Sequence, residues 1–299
     1  MELKPLVSVL VNNYNYGKYI KFCIDSVLNQ TYENTEIIVY DDGSTDNSLQ
    51  ILNEYKNKIK VISNKNFGQY PSFNQANAIN ESFKVSKGEI ICLLDSDDGF
   101  VKDKIEIIVS AFLSNPDLSL VQNLSYKIDE NDTIKKEKTF IKNISNQKEY
   151  IYKTHNLLDL FAQTSSLSFK RTYLEQVLPI YPDQFKLVWP DVRLSRFSIF
   201  YGKTHTIFQP LTLYRIHELN DSHKLKDKDF YKQVIIQMYT LFNIYTKEKD
   251  GIEIDYKKSI INPYENFLSK TKSLIFSNEK IKYKIYYILN ALIKTLNKK

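Results

Sequence analysis

Four short apolar runs, separated by stretches with helical spacing, occupy the first hundred residues and decide what this chain can fold into. They are Leu6–Val11, Ile37–Tyr40, Ile59–Ile62 and Glu89–Leu94. Between them, Ile20, Ile24, Val27 and Leu28, then Leu49, Ile51, Leu52 and Tyr55, then Phe73, Ala76, Ile79 and Phe83 recur at helical intervals. Strands that are apolar throughout, alternating with helices, predict a mostly parallel central sheet covered on both faces, a Rossmann-like α/β fold. Right-handed crossovers bring the C-terminal ends of such strands to one edge, where these sheets bind ligands.

Beyond residue 115 the alternation loosens. Ser119–Gln122 reads as a strand, and Tyr126–Ile134 as a hairpin turning at Asp129-Glu130-Asn131-Asp132. The Lys- and Asn-rich stretch from Lys135 to Lys153 reads as a loop over the sheet edge. Ser165–Phe169 reads as a strand, Asp191–Phe200 as a helix and Thr206–Tyr214 as another strand. A polar segment, 216–229, has the composition of a lid that closes over a bound ligand. We place a domain boundary there, with one α/β unit at 1–229 and a helical extension at 230–299. Asn262, Pro263 and Glu265 form a helix start, and Ile281, Ile285, Ile288, Leu289, Leu292 and Leu296 make one apolar stripe of a last helix.

Charge separates the same two regions. The net charge is +6, but residues 1–225 carry 26 Lys/Arg against 27 Asp/Glu, and residues 226–299 carry 15 against 8. The basic excess is therefore confined to the C-terminal quarter, which removes the main support for a nucleic-acid partner. A basic amphipathic helix there suits peripheral contact with a membrane, a second subunit, or packing on the chain's own body. No apolar run approaches the ~20 residues that span a bilayer. Only two cysteines occur, Cys23 in a helical pattern and Cys92 in a strand pattern, as expected in a reducing compartment. Met1-Glu2-Leu3-Lys4 runs directly into a strand, and the expected location is cytoplasmic, free or at the inner face of the cell membrane.

The chemistry concentrates where strands end. Asp95-Ser96-Asp97-Asp98 follows a buried strand directly. Three carboxylates in four residues repel one another and favour a cation, and hard oxygen ligands suit Mn²⁺ or Mg²⁺ held jointly with phosphates. The pattern alone equally allows a solvated helix-capping turn. A second acidic cluster, Asp41-Asp42-Gly43-Ser44-Thr45-Asp46, follows the second strand, where an acid can accept hydrogen bonds from a nucleoside. The first strand is followed by Asn12-Asn13-Tyr14-Asn15, with no GxGxxG, and no GxxxxGK[ST] occurs anywhere. Dinucleotide oxidoreductases and P-loop enzymes are thereby disfavoured.

Together these elements resemble the family 2 glycosyltransferases. The resemblance runs through Val7–Val11, Tyr14-Asn15, Ser26–Tyr32, Glu36–Val39 and Asp41–Asp46. It continues through Asn66, Gly68 and Gln69, Lys87–Ile90 and Asp95–Asp98, and closes at Pro210–His217, covering roughly residues 5–222. It implies a GT-A fold and an inverting, metal-dependent transfer from a nucleotide-diphosphate sugar, expected to be UDP-linked, to a hydroxyl of a glycan or lipid-linked acceptor. It further implies donor contacts from Asn13, Tyr14, Asp41, Asp42, Gln69, Asn74, Asp95, Ser96 and Asp97. Asp97, with Asp95 and His217, would hold the metal, and Asp191 would be the catalytic base. Two departures stand out: Pro190 replaces the first acid of the common Glu-Asp pair, and Phe73 stands where many members carry an Arg before Asn74. The pathway implied is bacterial surface polysaccharide synthesis.

Two other readings compete. A sugar-phosphate nucleotidyltransferase shares the sheet, nucleotide and Mg²⁺, but wants a glycine-rich, Arg-bearing loop after the first strand, and Asn12–Asn15 supplies none. A non-catalytic carbohydrate-binding protein that kept the fold would not need Asp95, Asp97 and Asp191 together.

Overall fold

The computed structural model describes residues 4–68, 70–181, 185–218, 220 and 227–261. Four strands, β1 (Val7–Asn13), β2 (Thr35–Asp41), β3 (Lys60–Ser63) and β4 (Ile90–Asp95), are parallel and lie in the order β3-β2-β1-β4. The sheet continues through β8 (Leu167–Lys170), β6 (Leu118–Ile128), β9 (Lys203–Arg215) and the two-residue β5 (Gly99–Phe100), with β7 (Ile134–Lys138) off β6. In this second half β8 runs antiparallel to both β4 and β6, while β6 and β9 are parallel. The parallel half is the one the apolar runs predict.

The period-2 alternation of buried strands builds a core on each face. Val7, Val9 and Val11 of β1 and Ile90, Cys92 and Leu94 of β4 point to one side. There they meet α1 (Ile20–Leu28), α2 (Ser48–Glu54) and α4 (Lys104–Ser114) through Ile24, Leu52 and Ile108. Leu10, Ile91 and Leu93 point to the other side, against α3 (Pro71–Val85), α6 (Arg171–Val177) and α7 (Pro190–Phe197) through Ile79, Leu174 and Leu194. Gly88 lets β4 enter the sheet tightly, since a Cβ there would lie 2.5 Å from Ser8 N.

The stretch from Lys135 to Lys153 is more ordered than the loop expected of it. It contains β7 and a helix, α5 (Gln147–Thr154), whose Asn146 side chain caps the Glu149 amide at 3.1 Å. β7 is a terminal strand, where charged side chains are tolerated because one flank faces water, so its Lys-rich sequence concealed it. Residues Thr164–Ser166 form a 3₁₀ turn before β8, and Ser198–Phe200 form another after α7.

The expected boundary at 229/230 falls in the first turn of α8 (Lys228–Asp250), which is followed by α9 (Tyr256–Ile261). Ile235, Met238, Tyr239 and Phe242 of α8 share a core with Ile151, Leu157, Phe185 and Phe197, and the Phe197 and Tyr245 rings stack at 3.9 Å. Both cysteines are buried and free. Among the described residues no helix is long and apolar enough to cross a membrane. The helix start at Asn262, the last amphipathic helix and its expected membrane or subunit contact lie outside the described residues, as does half of the segment expected to form a lid.

Candidate active site

Sheet register assembles the site. Asn13 at the end of β1 lies beside Asp41 at the end of β2, and Asn12 lies beside Asp95 at the end of β4. Asp41 and Asp95, 54 positions apart in sequence (95 − 41), thus flank one strand terminus.

At the β2 end, Asp41 is fully buried and organises the backbone around it. It accepts from Asn13 Nδ2 at 2.7 Å, Ser44 Oγ at 2.6 Å and the Ser44 amide at 3.0 Å. Gly43 holds φ at +75°, and a Cβ on it would meet the Asn66 amide at 2.8 Å. Asp42 accepts from Asn66 Nδ2 at 2.7 Å and the Phe67 amide at 3.1 Å. Burial pushes its carboxyl up to about 6 despite the Phe67 bond, with Asp41 adding to the rise. Asn74 donates to Asn66 at 3.3 Å, tying α3 to the same loop, and Tyr14 lies half exposed. Gln69 falls outside the described residues.

At the β4 end the three acids have separate partners. Asp95 Oδ1 accepts from Gln75 Nε2 at 3.0 Å, and the Asp95 amide donates to Ser165 Oγ at 3.0 Å. Burial, with Asp97 and Asp191 nearby, pushes its carboxyl up to about 7. Asp97 Oδ2 lies 2.9 Å from His217 Nε2 and 3.4 Å from Asn220 Nδ2. The His217 ring is braced by Tyr19, stacked at 5.3 Å, and Tyr16, edge-on at 5.6 Å. Asp98 accepts from the Arg215 amide at 2.8 Å, and burial beside Asp97 and Asp95 holds its carboxyl well above the ordinary range.

Arg215 ties this turn to the β6–β7 hairpin. Its side chain is fully buried and donates to the carbonyls of Asp97 and Asp129, each at 2.7 Å, and to Asp132 Oδ1 at 2.6 Å. Its guanidinium also packs over the Tyr19 ring at 4.5 Å.

Asp191 lies in the first turn of α7, directly after Pro190, where the positive end of the helix favours a carboxylate. It is partly exposed, as is Asp95. Burial raises its carboxyl above the usual value, and the Arg196 guanidinium acts in the opposite direction. The structure therefore brings Asp95, Asp97, His217 and Asp191 to one edge, with Asp41, Asp42 and Asn13 at its other end.

Buried polar atoms without partners collect along this edge: both amide atoms of Asn12, Asn13 Oδ1, Asn74 Oδ1, Gln75 Oε1, Ser96 Oγ and Asp98 Oδ2. Such atoms are costly to desolvate, and their concentration at one strand terminus points to a polar ligand.

The three-residue metal shell expected from Asp95, Asp97 and His217 is not assembled. Among the described residues no three acidic, His or Cys side chains converge. Asp97 and His217 meet, while Asp95 turns to Gln75. The pair still fits an octahedral cation, since ligands at ~2.1 Å from Mg²⁺ sit about 3 Å apart, and such ions often take one or two protein groups plus phosphate oxygens and water.

Sequence reasoning missed Gln75, Thr164, Ser165 and Asn220. Gln75 and the Thr164-Ser165 turn reach the site through side chains on elements whose local patterns look structural, and only the three-dimensional arrangement reveals them.

The family model described as Glycosyl transferase family 2 matches residues 8–178. An uncharacterised glycosyltransferase of Nostoc sp. is 35% identical over 221 residues, 72% of this chain and 66% of the relative. Chondroitin synthase of Pasteurella multocida is 35% identical over 133 residues, 44% of this chain and 13% of the synthase. The chain thus spans less than two thirds of either relative. Among solved structures, S. aureus TarS 1–349 in complex with UDP-GlcNAc aligns over 96% of this chain and 79% of its own with a TM-score of 0.59 and 20% identity, a likeness of fold.

Proposed function

The chain belongs to glycosyl transferase family 2, and from that premise we propose that it catalyses an inverting transfer of a sugar from a UDP-linked donor to a hydroxyl of a glycan or lipid-linked acceptor. The observation that carries this reading is the 2.9 Å meeting of Asp97 with His217 at the edge that also holds Asp191 and the β2 acids. A nucleoside diphosphate laid along this edge places its base by Asp42 and Tyr14, its ribose and sugar by Asn13 and Asp95, and its diphosphate by Asp97. TarS, of the same fold, is known with UDP-GlcNAc, which supports a UDP-sugar here. The chondroitin synthase relative supports a polysaccharide pathway.

Asp97 and His217 would hold Mn²⁺ or Mg²⁺, which when bound neutralises charge on the leaving diphosphate. Asp191 takes the proton from the acceptor hydroxyl as its oxygen bonds to the anomeric carbon. The bond from that carbon to the diphosphate breaks, and its electron pair leaves with UDP. One displacement inverts the configuration. A carboxyl raised by burial is a better base than an ordinary one, provided it is ionised at working pH.

The test is incubation of the protein with Mn²⁺ and a panel of UDP-sugars. UDP release without pyrophosphate is the expected result. Pyrophosphate turnover would instead indicate a nucleotidyltransferase, and donor binding without turnover a carbohydrate-binding protein.

A further inference from the structure

Behind the Asp95–Asp98 turn lies a buried amine with no carboxylate bonded to it. Lys104, the first residue of α4, is 0% exposed. Its Nζ donates to the Ser165 carbonyl at 2.6 Å and to Thr212 Oγ1 at 2.9 Å, and it lies 3.8 Å from the centroid of the Phe100 ring. An ammonium buried among neutral acceptors is costly to the fold, and burial pushes this amine down to about 7; an apolar side chain of the same length would often do as well or better.

The acceptor it grips is part of the site. Ser165 belongs to the Thr164–Ser166 turn, and its Oγ receives the Asp95 amide at 3.0 Å. Ser165 beside Asp98, and Thr164 beside Asp95 and Asp191, each lower the neighbouring carboxyl against the upward push of burial. The turn is thus hydrogen-bonded directly to the end of β4. Thr212 steadies it from the opposite flank: Thr212 Oγ1 donates to the Ser165 carbonyl at 3.1 Å and accepts from Asn123 Nδ2 at 2.9 Å.

We propose that Lys104 is a positioning residue for catalysis, acting through the Ser165 carbonyl to hold the end of β4, and with it Asp95, in place. The proposal rests on the glycosyltransferase reading above. Removal of the ammonium leaves no orphaned acceptor, since Ser165 O keeps Thr212 and Thr212 Oγ1 keeps Asn123 and Ser166. The fold is therefore expected to survive while the site loosens.

The experiment compares Lys104→Met, Ser165→Ala and the double variant in the full chain, reading melting temperature, kcat and donor KM. Lys104→Met is expected to melt at or above the wild-type temperature and to lose about 10- to 100-fold in kcat, the scale of a small misplacement of reacting groups. If Lys104 acts through Ser165, the double variant is no slower than the slower single variant; independent structural roles would multiply. A Lys104→Met protein that fails to fold, melts lower in step with its activity, or keeps wild-type kcat overturns the proposal. Wild-type protein without transferase activity is a failure of the functional reading instead. In that case a crystal structure of Lys104→Met decides: displacement of Ser165 Oγ out of hydrogen-bond reach of the Asp95 amide supports the positioning role, and an unmoved turn overturns it.

Discussion

Asp97 Oδ2 and His217 Nε2 lie 2.9 Å apart although 120 positions separate them in the chain. The contact exists because β5 pairs antiparallel with β9, Gly99 against Leu213, which returns the end of β9 to the turn after β4. Arg215 then locks the two segments together through Asp97 and Asp98.

From this pairing follows a metal-dependent donor affinity. Asp97→Ala should weaken Mn²⁺-supported UDP binding at least several-fold while leaving metal-free binding little changed. Calorimetric titration of UDP with Mn²⁺ and with EDTA checks this, and equal affinities in the wild-type protein under the two conditions contradict it.

Donor binding should also depend on pH with a defined sign. Asp95, at about 7, and Asp42, at about 6, both titrate above the ordinary carboxyl value because they are buried. Each holds its proton below these values and accepts hydrogen bonds from the donor with both oxygens only when ionised, so Mn²⁺-supported UDP affinity should rise as pH goes from 5.5 to 8 and then level off. The metal-free protein should show the opposite trend in stability from these two groups. The folded state binds more protons than the unfolded chain between ~4 and about 7, so their contribution grows as pH falls through that window. Thermal melts and UDP titrations across the same buffers test both signs together.

The sheet edge was legible in the sequence because apolar strands must end in polar residues, and Asp41, Asp42 and Asp95 are those endings. Asp191 and His217 could be placed only through the family resemblance, since nothing in their local spacing ties them to β4. Lys104 and the Thr164–Ser166 turn were not legible. Their roles depend on β8 inserting between β4 and β6, a topology that local periodicity does not encode. The β6–β7 hairpin was legible at its Asp129–Asp132 turn, but the run of β7 beyond Ile134 was not: a strand at the margin can be built from lysines, and composition then resembles a loop.

Stability away from the chemistry gives a contrasting expectation. The Tyr239 hydroxyl of α8 donates to the His155 carbonyl at 2.8 Å and accepts from the Leu157 amide at 3.1 Å. Tyr239→Phe keeps the ring but strands a buried amide, which costs ~1–3 kcal/mol. Chemical denaturation should show that loss, while kcat stays at the wild-type value.

The central claim is that Asp191 removes the acceptor proton. Asp191→Asn keeps the side chain's shape, leaves the Asp97–His217 pair intact and cannot accept a proton. The measurement is single-turnover sugar transfer alongside UDP-sugar binding for this variant. The account predicts that transfer falls by ~10²–10⁴-fold, the usual contribution of a general base, with donor affinity and melting temperature near wild type. Transfer within about threefold of wild type, far short of the loss of a base, would assign the proton to another group and contradict the account.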